Sequence, residues 1–386
     1  MALSGTVDRA AVPRARITAR RAPLIGLAVV ALFAGLWGGL IRLGIASPSV
    51  VASASEAHGP LMALGFLGTL ISLERAVALG RAWAYAAPLA AGLGAVCALA
   101  GVPGAFGPAL MTLAGVVLLA AHVLLQRIQP SAHNAVMGLG ALAWCVAAVM
   151  WLAGDDVARF APLMAGFLVA TIVGERLELT RAVNRGRRAG LVLLGAIAVF
   201  AAGLAVSIAT ERLGLRIAGV GLVAQALWLA RFDAARRTVR IAGVTRYMAV
   251  SLLAGYVWLA CGGVLWAVFA AVDDGAAYDA ALHAVFLGFV MSMVFAHAPV
   301  IVPAVLRVAL PFHRGFYVQL GLLHVSVALR LVGGDLAGSG PLWRWGGILN
   351  EVAILLFLVV TAHGVMSARR RSAARARGEG QAAWSR

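Results

Sequence analysis

The stretch 56-EAHGPLMALGFLGTLISLERAVALGR-81 is long and apolar enough to cross a bilayer, yet it opens on His58 and closes on Glu74 and Arg75. About 20 apolar residues span the hydrocarbon. Ionisable groups inside such a run are costly and turn toward protein or a cavity. The stretch therefore sets two questions: how many such runs the chain holds, and what these polar groups meet.

Of the 386 residues, 62% are hydrophobic and 12% charged, with a mean hydropathy of +0.93. A soluble domain cannot hide that much apolar surface, so the chain reads as an all-α polytopic integral membrane protein. The 45 glycines suit close helix packing. Apolar runs fall at 24–46, 56–79, 84–101, 108–126, 134–153, 160–180, 189–209, 214–231, 247–272, 278–305, 316–333 and 343–366, which predicts about twelve transmembrane helices. Residues 1–23 and 367–386 read as basic tails. The net charge of +17 is concentrated in those tails and in alternate loops, among them 231-RFDAARRTVR-240. That distribution predicts both termini in the cytoplasm and an inner-membrane location, and argues against a nucleic-acid partner. Lipid is the expected surrounding, with adhesion of the tails to anionic lipid as a secondary role. Cys97, Cys145 and Cys261 lie singly in apolar runs, which indicates neither a disulfide framework nor a thiolate site.

An internal repeat is visible. The segment 65-GFLGTLISLER-75 in the second run aligns with 166-GFLVATIVGER-176 in the sixth and, more weakly, with 288-GFVMSMVFAHA-298 in the tenth. Spacing of four helices predicts three four-helix units of like orientation.

The polar groups fall into two layers. His58 and His283 lie near the outer ends of the second and tenth runs, at matched depth. Further in come Glu74, Glu175, His297 and His324, a set of types that suits iron, zinc or copper equally. Imidazoles from facing helices form the usual bis-histidine haem arrangement, and Met62, Gly65 and Thr69 below His58 give a surface suited to a flat macrocycle. A plainer reading stands beside each. His58 and His283 can cap helices, and Glu74–Arg75 and Glu175–Arg176 can be edge ion pairs with the arginines reaching to the cytoplasm. Trp144, with other tryptophans, reads as part of an interfacial belt.

The opening 58-HGPLM-62 resembles the start of the second helix of heme-copper oxidase subunit I, a twelve-helix family of three four-helix units whose tenth helix supplies the partner histidine. More closely, 58-HGPLMALGF-66, 173-VGERLELTR-181 and 282-LHAVFLG-288 resemble segments of the NnrS family, haem- and copper-containing membrane proteins of nitric-oxide metabolism. The resemblance implies haem at His58 and His283, copper or iron as a further metal, and nitric oxide or a redox partner as what the protein meets. The chain departs from both families. The seventh run, 189-AGLVLLGAIAVFAAGLAVSIA-209, has no histidine pair, so the three-histidine copper site of the oxidases is missing. The tenth run ends in 296-AHAPVIVPAVLR-307, where NnrS proteins carry a GHTGR-like segment. Two other functions remain open at this point: a cofactor-free secondary transporter using intramembrane Glu and His, and an assembly factor for a respiratory complex.

Overall fold

A computed structural model describes residues 14–47, 52–102, 104–179, 186–270, 275–306 and 308–384. Parts of the loops that carry the orientation argument, including 181–185, Asp273, Asp274 and Arg307, lie outside the described residues, as does Arg9 in the N-terminal tail. Among the described residues there is no strand. The described residues form twelve helices long and apolar enough to cross a membrane: α1 Arg21–Arg42, α2 His58–Leu79, α3 Ala82–Leu99, α4 Phe106–Ile128, α5 Ala132–Leu152, α6 Val157–Leu179, α7 Gly186–Ala209, α8 Glu211–Phe232, α9 Val244–Phe269, α10 Ala276–Pro303, α11 Phe316–Leu336 and α12 Gly340–Arg371. They coincide with the twelve apolar runs, end for end, to within about five residues. The helix of α12 continues to Trp384, so most of the C-terminal tail is helical. Lipid offers no hydrogen-bond partner to a peptide group, and a helix satisfies them all within one segment.

The sixth span is the centre of the bundle, with 83% of its apolar window buried against 28% for α12. It touches α5 and α7, its neighbours in sequence, and also α2 and α10. The three helices of the sequence repeat thus meet around α6. The phenylalanines of their Gly-Phe pairs, Phe66, Phe167 and Phe289, are all buried. The glycines differ in what they face: Gly65 lies between Ala95 of α3 and Ala31 of α1, Gly166 lies against Leu204 of α7 with Ala143 of α5 beyond, and Gly288 meets Trp258 of α9. In α2 and α10 the chain also winds into π-helical turns, Leu61–Leu67 and Ala284–Met291, directly inward of His58 and His283. A third such turn, Leu329–Leu336, lies in α11.

Small residues set the helix spacing. A Cβ added to Gly221 of α8 would lie 2.5 Å from the Phe200 backbone nitrogen of α7 and 2.6 Å from its Cα. The two backbones touch with no side chain between them. Trp144 departs from the belt reading: it is fully buried, packs at 4.8 Å from Phe167, and donates through Nε1 to the Met111 carbonyl at 3.0 Å.

Gly221→Leu must force α7 and α8 apart and is expected to lower the thermal midpoint in detergent by an amount corresponding to about 1–3 kcal/mol or more. Gly195→Leu, where an added Cβ meets nothing within 4 Å, is expected to leave it unchanged. Equal midpoints for the two variants would refute the tight α7–α8 contact.

Candidate functional site

One cavity of about 260 Å³ brings together side chains from α1, α2, α6, α10, α11 and α12. His58 and His283 both line it. The His58 Nδ1 lies 2.7 Å from the Gly35 carbonyl of α1. A carbonyl only accepts, so Nδ1 carries the proton and Nε2 keeps its lone pair. His283 is held the same way, with Nδ1 2.8 Å from the Asp279 carbonyl one turn earlier and 3.1 Å from the Asp279 carboxylate. Neither Nε2 makes a hydrogen bond among the described residues. An imidazole fixed through Nδ1 with Nε2 open is the arrangement of a metal-ligating histidine.

Behind His283 stands a further set of partners. Arg330 grips Asp279 from Nε at 3.0 Å and from its terminal nitrogen at 2.8 and 3.1 Å. Trp343 Nε1 donates to the same carboxylate at 3.2 Å, and the guanidinium lies 5.0 Å from the Trp343 ring centre. This network ties α10 to α11 and α12 and fixes the orientation of His283. Behind His58 the wall is thin. A Cβ on Gly39 would lie 2.8 Å from Glu351 Oε1 and 3.3 Å from His58 Cε1, so the carboxyl of α12 and the imidazole of α2 both pack against this glycine. The Glu351 carboxylate has no hydrogen-bond partner among the described residues.

The inner layer does not form one site. Arg75 lies between Glu74 at 2.9 Å and Glu175 at 3.2 Å and so joins α2 to α6. Arg176 makes a different bond: both its Nε and a terminal nitrogen meet the Asp233 carboxylate at 2.7 Å, with the pair almost fully buried. The arginines therefore turn inward, Arg75 to Glu74 and to Glu175 of α6 and Arg176 to Asp233 just past α8, and do not reach out to water. His297 donates from Nδ1 to the Met293 carbonyl at 2.7 Å, and its Nε2 is buried with no partner. His324 accepts from Trp258 Nε1 at 3.0 Å. Among the described residues no three His, Cys, Asp or Glu side chains stand close enough to hold a metal ion, so Glu74, Glu175, His297 and His324 are not gathered.

Asp279, Arg330, Glu351 and its cavity-lining neighbour Asn350 escaped the sequence reading. A signal existed: 350-NE-351 and Arg330 interrupt otherwise apolar runs, and Asp279 stands four residues before His283 on one helix face.

A family model matches residues 21–366, which is almost the whole membrane-spanning part. The chain belongs to this family, DUF8744, described as a domain of unknown function. No curated protein matches the chain.

Removing one partner of a buried ion pair leaves the other charge uncompensated, at a cost of about 3–5 kcal/mol. Arg176→Gln is expected to destabilise by that order, and Arg176→Gln with Asp233→Asn by clearly less. Thermal unfolding of the two variants and of Asp233→Asn completes the cycle. Additive effects would show that the pair is not coupled.

Proposed function

We propose that the protein binds a haem between His58 and His283 and serves in membrane electron transfer, or in the handling of nitric oxide to which its NnrS-like segments point. One observation carries this reading: two imidazoles from α2 and α10, each anchored through Nδ1 with Nε2 open, line the same cavity. The donor set suits the group. Two neutral imidazoles suit iron, and a bis-histidine iron favours electron transfer over gas binding. Leu36, Met62, Leu287 and Ile354 give the cavity apolar walls for the faces of a macrocycle. Arg42 and Arg330 line it too and suit anionic groups at a macrocycle's edge. The bound haem would supply one-electron chemistry. The chain's own residues orient the imidazoles: Gly35 and Asp279 fix the tautomers, and Arg330 and Trp343 hold Asp279 in place. The π-helical turns beside both histidines support a functional cavity, since such turns concentrate at sites. On the positive-inside reading of the loops, this cavity lies toward the outer face of a cell membrane, with both termini in the cytoplasm.

A second reading is a secondary transporter without cofactor. Glu351 favours it, because an unpaired carboxylate in an intramembrane cavity is what a cation- or proton-coupled carrier requires.

The oxidised and dithionite-reduced absorption spectra of detergent-purified protein separate the two, with metal analysis of the same sample. The expected result is a Soret band with sharp reduced α and β bands, lost or shifted in His58→Ala and in His283→Ala and retained in Glu74→Gln. A colourless, iron-free protein from haem-supplied cells would sink the haem reading and leave the transporter in its place.

A further inference from the structure

The end of α8 and the connection to α9, 231-RFDAARRTVR-240, hold four arginines and one acid. Arg231, Arg236, Arg237 and Arg240 line a second cavity of about 480 Å³, together with Phe232 and Asp233. The acid does not balance them. Asp233 is 2% exposed, both its oxygens are taken by Arg176, and one of them also accepts from the Ala235 backbone nitrogen at 2.7 Å. Its charge is thus used up inside the bundle. None of the four guanidinium groups makes an ion pair among the described residues.

The basin is held in shape from both sides. At one end Asp233 pins the chain to α6. At the other, Arg246 of α9 donates to the carbonyls of Val239 at 3.1 Å and Arg240 at 3.3 Å. A loop pinned at both ends, with four exposed guanidinium groups lining one concavity, is preorganised for an anion, and the planar fork of arginine matches phosphate oxygens two at a time.

Position selects the source of the phosphate. The segment joins the end of one membrane span to the start of the next, which is headgroup depth. Its surroundings are mixed in polarity: Arg231 lies over the Phe232 ring at 5.1 Å, and Ile241 is 54% exposed. Arginines that serve topology need only lie on the correct side of the membrane. Here they also converge on one concavity from which the local carboxylate has been withdrawn. We infer that Arg231, Arg236, Arg237 and Arg240 form a binding site for the phosphate of an anionic phospholipid headgroup. The site is independent of whether the outer cavity holds haem.

The test is lipid retention by the full-length protein in neutral detergent, read by native mass spectrometry. Diphosphatidylglycerol is compared with phosphatidylcholine, and sodium pyrophosphate serves as a soluble competitor. The expected result is selective retention of diphosphatidylglycerol, weakened on the order of tenfold or more in Arg236→Gln/Arg237→Gln, since each basic side chain at a membrane surface contributes measurably to anionic-lipid attraction. Arg369→Gln/Arg370→Gln/Arg371→Gln, which removes comparable charge from the C-terminal helix, is expected to retain lipid like the unaltered protein. Arg236→Lys/Arg237→Lys keeps the charge without the fork and is expected to bind with intermediate strength. It decides the matter if the glutamine variant does not fold. Undiminished retention in the lysine and glutamine variants, or equal retention of phosphatidylcholine, overturns the proposal. Complete displacement by pyrophosphate at matched phosphate concentration overturns the lipid assignment and leaves a soluble phosphate as the ligand.

Discussion

An ionisable side chain that enters a bilayer interior must find its partner inside the protein, and much of this bundle follows from that requirement. Arg75, Arg176 and Arg330 each leave their own helix to reach carboxylates elsewhere, on α6, on the α8–α9 segment and on α10. These three bonds link most of the helices that frame the cavities. In water such pairs would contribute little. In a low-dielectric interior the unpaired alternative is so costly that the pairs restrict which helices can be neighbours. The apolar residues supply packing between nearly interchangeable surfaces, whereas the charges specify which surface goes where.

The helix count was legible because hydrophobicity over about 20 residues is a local property. The likeness of α2, α6 and α10 was legible too, since Gly-Phe recurs in each and its phenylalanine is buried every time. Partner choice was not. Glu74-Arg75 and Glu175-Arg176 look identical in sequence, yet Arg75 is shared between two glutamates and Arg176 bonds Asp233, a residue 57 positions away. Nothing local distinguishes the two. Asp279 was legible from its i,i+4 spacing to His283, but its grip by Arg330 and Trp343 was not, and only the fold places Glu351 beside Gly39. The grouping of His297 and His324 with the two glutamates rested on depth alone. Depth fixes one coordinate, and the direction in which a helix face points supplies the others.

The repeat is also broken in an informative way. His58 stands seven residues before its Gly-Phe pair, and His283 five before its own. The corresponding part of α6 carries Arg159, which bonds Asp155 and Glu211 at the surface. Two of three related helices therefore supply an imidazole to the cavity, and the third supplies apolar wall through Val157, Ala161 and Met164. Asymmetry of this kind makes a two-sided cavity out of three related helices.

The π-helical turns of α2 and α10 carry a consequence for how such a chain can change over time. A π turn accommodates one extra residue without breaking the helix, and a single insertion rotates everything beyond it by about 100° relative to a regular α-helix. The outer and inner halves of α2 and α10 are thereby phased separately. Inward of the turns, Gly68 of α2 can keep its fit to Trp144 and Phe295 of α10 its stacking on Phe357, while the histidine ends turn to a face of their own. Insertion or deletion at such a turn is a route by which a descendant of this fold can re-aim its cavity-lining groups in one step, with the packing of the remaining bundle left as it was.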